Sequence, residues 1–127
     1  RIYNAVANGE LYDLGAFPAA RFDERSKEVI QGEVHVFDEA VFKTVLSFLD
    51  YLEGFTDDPK TDFYVRKVIP VTLENGREVF VQAYEFAKFS PSMKLLKVPG
   101  GLWQGRKAPA SVEHSGGLFL YNQSSEK

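Results

Sequence analysis

Glu53 is the residue of this chain whose type and position best suit acid/base chemistry. It closes the run EAVFKTVLSFLDYLE, in which apolar residues recur with a 3.6-residue period. Val41, Phe42, Val45, Leu46, Phe48, Leu49 and Leu52 fall on one face, and Lys43, Thr44, Ser47, Asp50 and Tyr51 on the other. At about 100° per residue, Glu53 lands between Phe42 and Leu46, on the apolar stripe. It also sits in the last helical turn, where the macrodipole disfavours an anion. Burial and dipole both push a carboxyl upward in pKa, toward the range in which one group can take and return a proton near neutrality. The competing reading is a helix-end carboxylate that snorkels to water.

Other chemistry-bearing groups are less well placed. Gly100-Gly101-Leu102-Trp103-Gln104-Gly105-Arg106-Lys107 has the glycine spacing of a phosphate loop, but Arg-Lys stands where Lys-Ser/Thr is required, so a turn anchored by Trp103 is expected. Ser124 and Lys127 match a serine–lysine spacing by chance, at a terminus. His35 follows a strand alternation and His114 is far away, so the two histidines form no metal site. Asp57 and Asp58 precede a proline and belong to a solvated loop. Arg66 lies in a strand among aromatic and aliphatic neighbours; it either orients a carboxylate or pairs with Glu33 or Glu85 across the sheet.

These groups need a scaffold. Residues 5–12 alternate loosely, and Asp13 to Pro18 form a turn. Residues 29–37 form a strand with Gly32 at a bulge or close approach. Asp38 is a natural N-cap whose carboxylate can accept from first-turn amides, and Gly54 is the residue that ends the helix. Residues 63–73 and 77–86 flank Asn75-Gly76, the strongest two-residue hairpin signal. Such a loop pairs Leu73 with Glu78, Val71 with Phe80 and Ile69 with Gln82. Pro70 has no amide to donate and demands an edge or a bulge. Ser90-Pro91 and Val98 to Gly101 are turns, residues 105–117 are expected to be a mobile loop, and 117–121 is a last strand. Strands, one helix, then strands define an α+β fold, a twisted sheet or small mixed barrel packed against one main helix.

A chain of 127 residues without internal repeat or long linker is expected to be one domain, residues 1–127. It has no cysteine, which excludes disulfides, thiolate metal sites and cysteine nucleophiles. The net charge is −3 and basic residues are scattered, so nucleic acid and anionic membranes are not expected partners. No apolar run is long enough to span a bilayer and no signal peptide opens the chain, so a cytoplasmic protein is expected.

Several segments together resemble the γ-glutamylcyclotransferase-like superfamily, which includes the avirulence-induced (AIG2-like) plant proteins. They are GELYDLGAFPA (9–19), VIQGEVH (29–35), LDYLEG (49–54), YVR (64–66) and VQAY (81–84), in family order over about residues 5–86. The resemblance implies a small mixed barrel with a pocket at one end, no metal and no cofactor. It implies that Glu53 is the catalytic acid/base, acting on a small γ-glutamyl amine or peptide whose α-amine attacks its own γ-carbonyl to release 5-oxoproline. The turn Tyr12, Leu14, Gly15 and Phe17 is expected to line the substrate site, with Tyr64 and Tyr84 as walls. Family members open with a strand ending in Tyr-Gly-Ser, whose amides hold the substrate carboxylate. Here Leu118 to Ser124 looks like that strand moved to the other end, either a circular permutation that would place Tyr121, Asn122 and Gln123 at the substrate or an arrangement in which the missing strand comes from elsewhere. The alternatives are a C-terminal edge strand with no such role and, for the whole domain, a non-catalytic member that binds a small acidic ligand or a protein partner.

Overall fold

The computed structural model describes residues 1–14, 18–90, 92–93, 95–102 and 118–123. The loop expected at 105–117 lies outside them, as do Gly15, Phe17, His114, Ser124, Lys127 and most of the Trp103 turn. The chain runs β1 (Ile2–Asp13), β2 (Pro18–Phe22), β3 (Val29–Phe37), α1 (Glu39–Glu53), β4 (Tyr64–Leu73), β5 (Glu78–Phe86), β6 (Leu96–Lys97) and β7 (Leu118–Asn122). A short 3-10 turn covers Pro99–Gly101. Among the described residues no helix is long and apolar enough to cross a membrane.

The strands pair in the order β2-β1-β3-β7-β5-β4, and β4 returns to β1 through Ala5↔Leu73 and Val6↔Thr72. Five strands, β1-β3-β7-β5-β4, therefore close on themselves. β3 and β7 run parallel while their other neighbours run antiparallel, so the barrel is mixed. Alternation along each strand sends one side chain in two to the interior, where Val34, Val71, Val81, Ala83, Phe119 and Tyr121 pack together. The expected α+β architecture, a small mixed barrel with one main helix, is the one observed.

β2 is a strand the sequence did not announce. It begins with a proline and is short, and it forms a hairpin with the second half of β1, from Tyr12↔Ala19 to Gly9↔Phe22. β1 thus changes partner midway, pairing with β3 up to Asn8 and with β2 from Gly9. The backbones approach so closely there that a Cβ on Gly9 would lie 2.4 Å from the Arg21 carbonyl oxygen. No bulge occurs at Gly32, because the β1–β3 register runs unbroken from Ile2↔His35 to Asn8↔Val29.

The central hairpin forms, but its register is one residue away from the expected one. Val71 pairs with Val79, Ile69 with Val81 and Thr72 with Glu78. The Leu73 carbonyl accepts from the Gly76 amide at 2.8 Å and the Leu73 amide donates to the Arg77 carbonyl at 2.8 Å. The loop is therefore Glu74-Asn75-Gly76, three residues, with Gly76 at φ 89° in the left-handed region. A one-residue slip would turn every β5 side chain to the other face. The observed register instead sets Val79 and Val81 inside, opposite Val71 and Ile69. Since Leu73 and Arg77 form a hydrogen-bonded pair, alternation makes Pro70↔Phe80 a non-bonded pair, and the proline nitrogen faces away from β5.

The helix spans the expected residues. Asp38 occupies the N-cap with extended backbone, but its side chain makes no capping bond; its carbonyl accepts from the Val41 and Phe42 amides instead. Gly54, at φ 71°, closes the other end. Phe42 and Leu49 are buried against Tyr84 of β5 and Leu120 of β7, with Val45, Leu46 and Leu52 packed around them. Each fully buried side chain of this size contributes about 1.5–3 kcal/mol. Val41 and Phe48, expected on the packed face, are 47% and 58% exposed. The stripe that touches the barrel is narrower than the apolar stripe of the sequence.

Beyond Gly54, one buried carboxylate organises the chain leading into β4. Asp62 is 1% exposed and accepts from the Thr56 amide, the Thr56 hydroxyl (2.8 Å) and the Asp58 amide (3.0 Å). Burial opposes its ionisation, but the Thr56 hydroxyl and the surrounding backbone amides outweigh that and hold the carboxyl below its usual range. A carboxyl depressed in the fold adds stability above its unfolded pKa of about 4, and that stability is lost as pH falls through the lower folded value. Asp62→Asn should therefore unfold at lower urea than wild type at pH 7. The gap should close as pH falls below about 4. Equal unfolding midpoints at pH 7 would show that these bonds contribute nothing net.

Candidate active site

The buried residues of α1 are Phe42, Leu49 and Glu53, spaced by seven and four, so the helical period carries the carboxyl onto the barrel side. Glu53 is 7% exposed and its Oε1 atom is sealed from solvent. The snorkelling alternative is thereby excluded.

Two tyrosines reach this place from the sheet. Tyr64 opens β4 and Tyr84 lies near the end of β5, in register pairs two steps apart and so on one face, Tyr64↔Phe86 and Arg66↔Tyr84. Burial is the main force raising the Tyr64 phenol, and the charge of Glu53 adds to it. Burial likewise dominates at Tyr84, followed by its hydrogen bond to Asp50 and the charge of Asp50; Glu53 pushes the same way and Arg66 against. Both phenols stay neutral across the physiological range. The Tyr64 hydroxyl donates to the Pro18 carbonyl at 3.2 Å, linking β4 to the start of β2.

Arg66 does not pair with Glu33 or Glu85. Its Nε and Nη2 donate to the two oxygens of Asp50 at 2.8 and 3.1 Å, its Nη1 donates to Gln82 at 3.0 Å, and it stacks over Phe55. The residues expected to receive it are occupied: Glu33 contacts His35 at 3.2 Å, and Glu85 accepts from Lys67 and from the Phe22 amide. Asp50 had been assigned to the solvent face, yet its side chain is 21% exposed and also accepts the Tyr84 hydroxyl at 2.6 Å. The signal was in the spacing, since Leu46, Asp50 and Glu53 stand at i, i+4 and i+7.

Tyr12 and Leu14 share one apolar cluster with Tyr64, Phe86 and Phe89, so the first turn and the first wall residue do come together. The Tyr12 hydroxyl is turned away toward Glu10, at 2.6 Å. Burial and that bond raise its phenol.

Tyr121, Asn122 and Gln123 are placed elsewhere. β7 pairs parallel with β3, and Phe37↔Asn122 sets its C-terminal end beside the residue that precedes the helix. Gln82↔Leu120 aligns Leu118, not Asn122, with Tyr84. The strand end is four residues from that level, about 13 Å along the sheet. Tyr121 points into the barrel with Phe119. Asn122 lines an open groove of about 540 Å³ with Phe42, Val68, Phe80 and Gln82, a groove that does not include Glu53. The expectation that this strand end meets the substrate opposite Glu53 is therefore corrected by strand direction. The edge-strand alternative fails as well, because β7 is paired on both sides.

A mixed five-stranded barrel, with a buried carboxyl at the C-terminal end of its packed helix and two neutral tyrosines beside it, defines the structural class. The sequence pattern of the family γ-glutamyl cyclotransferase, AIG2-like, matches residues 1–105 of the 127, and the chain belongs to that family. Neither the curated proteins nor the solved structures compared with it gave a match.

Proposed function

We propose that this domain is a γ-glutamyl cyclotransferase that releases 5-oxoproline and a free amine from a small γ-glutamyl amine or peptide. The observation that carries this reading is the Glu53 carboxyl, buried at the helix end beside Tyr64 and Tyr84 in a chain of this family.

The chemistry asks for little more. The substrate's α-ammonium gives a proton to the Glu53 carboxylate, and the freed amine attacks the γ-carbonyl carbon. The five-membered ring closes as that carbon becomes tetrahedral. The tetrahedral oxygen then re-forms the carbonyl as the C–N bond to the leaving group breaks, and protonated Glu53 gives its proton to the departing nitrogen. The second proton of the former ammonium leaves the ring nitrogen through the regenerated Glu53 carboxylate to the released amine, which departs as its ammonium. Because nucleophile and electrophile belong to one molecule, the site contributes by holding the chain folded. A carboxyl disfavoured as an anion by burial and by the helix dipole suits both halves of the proton transfer.

The test is a panel of γ-glutamyl amines and γ-glutamyl dipeptides incubated with purified protein, with 5-oxoproline measured by mass spectrometry. At least one member should turn over. Binding of panel members without release of 5-oxoproline from any of them would overturn the enzymatic reading in favour of a ligand-binding member of the family.

A further inference from the structure

One helical turn before Glu53, Asp50 gathers three donors from the facing strands. They are Arg66 Nε and Nη2 and the Tyr84 hydroxyl, at 2.8, 3.1 and 2.6 Å. The geometry has two consequences. First, Tyr84 has one hydroxyl proton, and Asp50 holds it. On its remaining side the Tyr84 oxygen can only accept a hydrogen bond. Tyr64 has likewise given its proton to the Pro18 carbonyl. Oxygens committed in this way support a neighbouring carboxyl as a protonated donor and offer nothing to the carboxylate. Second, the Asp50 charge, one turn from Glu53, is met by a two-nitrogen fork and so is largely cancelled. Gln82 and the Phe55 ring fix the guanidinium against it.

We propose that the Asp50–Arg66 pair positions and tunes Glu53, acting through Tyr84 and through the cancellation of its own charges, and so sets the pH at which Glu53 exchanges its proton. Among the described residues, Tyr64 from β4 and Tyr84 from β5 feel the charge of Glu53, Asp50 precedes it by three residues on its own helix, and Arg66 from β4 is joined to that group through Asp50. The next residues along those strands, Lys67 and Glu85, project from the opposite face and pair with each other at 3.1 Å. Asp50 and Arg66 are positioning residues, and the consequence for turnover rests on the acid/base reading of Glu53. The protonation shift itself does not.

The signs of the two deletions are opposite. Asp50→Asn leaves Arg66 as an uncompensated cation, which favours the Glu53 carboxylate. Arg66→Gln leaves Asp50 as an uncompensated anion, which disfavours it. A merely structural pair would move both variants together or neither.

Protein labelled with 13C at the glutamate side-chain carboxyls reports this directly by NMR, the Glu53 resonance being the one missing in Glu53→Gln. The Glu53 titration midpoint should fall by about one pH unit in Asp50→Asn and rise by about as much in Arg66→Gln. Arg66→Lys, which restores charge without the fork, should lie between wild type and Arg66→Gln, and it stands in if Arg66→Gln does not fold. Midpoints that move in the same direction, or by less than about 0.3 unit in each variant, overturn the proposal. The γ-glutamyl panel run on the same samples separates the two claims. Turnover without opposite shifts sinks the tuning alone, and opposite shifts without turnover sink the catalytic reading alone.

Discussion

Replacing Glu53 by Gln should cut 5-oxoproline release by about 10²–10⁴-fold, the usual contribution of a positioned acid/base group. The substitution removes one ionisable proton and nearly nothing else, because Gln has the same shape and length. Glu53 is 7% exposed at the C-terminal end of α1, where an anion is opposed both by desolvation and by the helix dipole. A neutral amide there escapes both costs. The variant should therefore keep its fold, with a urea midpoint at pH 7 equal to or above that of wild type. That combination, activity lost and stability kept, is the signature of a group held in place for chemistry. A variant that retains more than a tenth of wild-type turnover would show that the proton transfers run through another group.

The largest stability loss is expected from Phe119→Ala, at about 3–5 kcal/mol by urea unfolding. Phe119 is fully buried in the barrel interior, against Val34 on the neighbouring strand and with its ring 6.3 Å from that of Phe22. It belongs to β7, which lies beyond the span matched by the family pattern and is the parallel partner of β3. If β7 completes the barrel, truncating this ring opens a cavity between β3 and β5 that the closed sheet cannot collapse to fill. A domain of this size has a total stability of about 5–15 kcal/mol, so the variant should be marginal at 37 °C. Phe80→Ala is the control, because Phe80 is 62% exposed on β5 and should change stability by less than about 1 kcal/mol. Similar small losses at both positions would mean that β7 is dispensable to the barrel.

The misreadings have specific physical causes. Asn75-Gly76 marks a hairpin whether the loop has two residues or three, since in both cases glycine supplies the left-handed backbone. The choice falls to the barrel, which needs Val79 and Val81 inside opposite Val71 and Ile69. Asp50 looked solvent-facing because a helical wheel records polarity but not what stands opposite. The sheet presents Arg66 and Tyr84 there, so a polar residue is satisfied at the packed boundary. Tyr121 to Gln123 were placed near Glu53 because sequence pattern carries no strand direction. Pairing parallel to β3 sends that strand end toward the beginning of the helix.

What the sequence determined by itself is local and periodic: the helix from Glu39 to Glu53 with Gly54 as its stop, the hairpin that turns at Asn75-Gly76, and Glu53 on an apolar stripe. Periodicity and turn chemistry act between near neighbours, so they are legible without a fold. The tertiary structure decided everything that depends on partners far apart in the chain. It closed β4 onto β1, inserted β7 between β3 and β5, and gave Arg66 to Asp50. It also brought Tyr64 and Tyr84 within reach of the charge of Glu53. Burial of a carboxyl follows from the helix, but the neighbours that govern its proton come from strands 11 and 31 residues further on, and only the closed barrel brings them there.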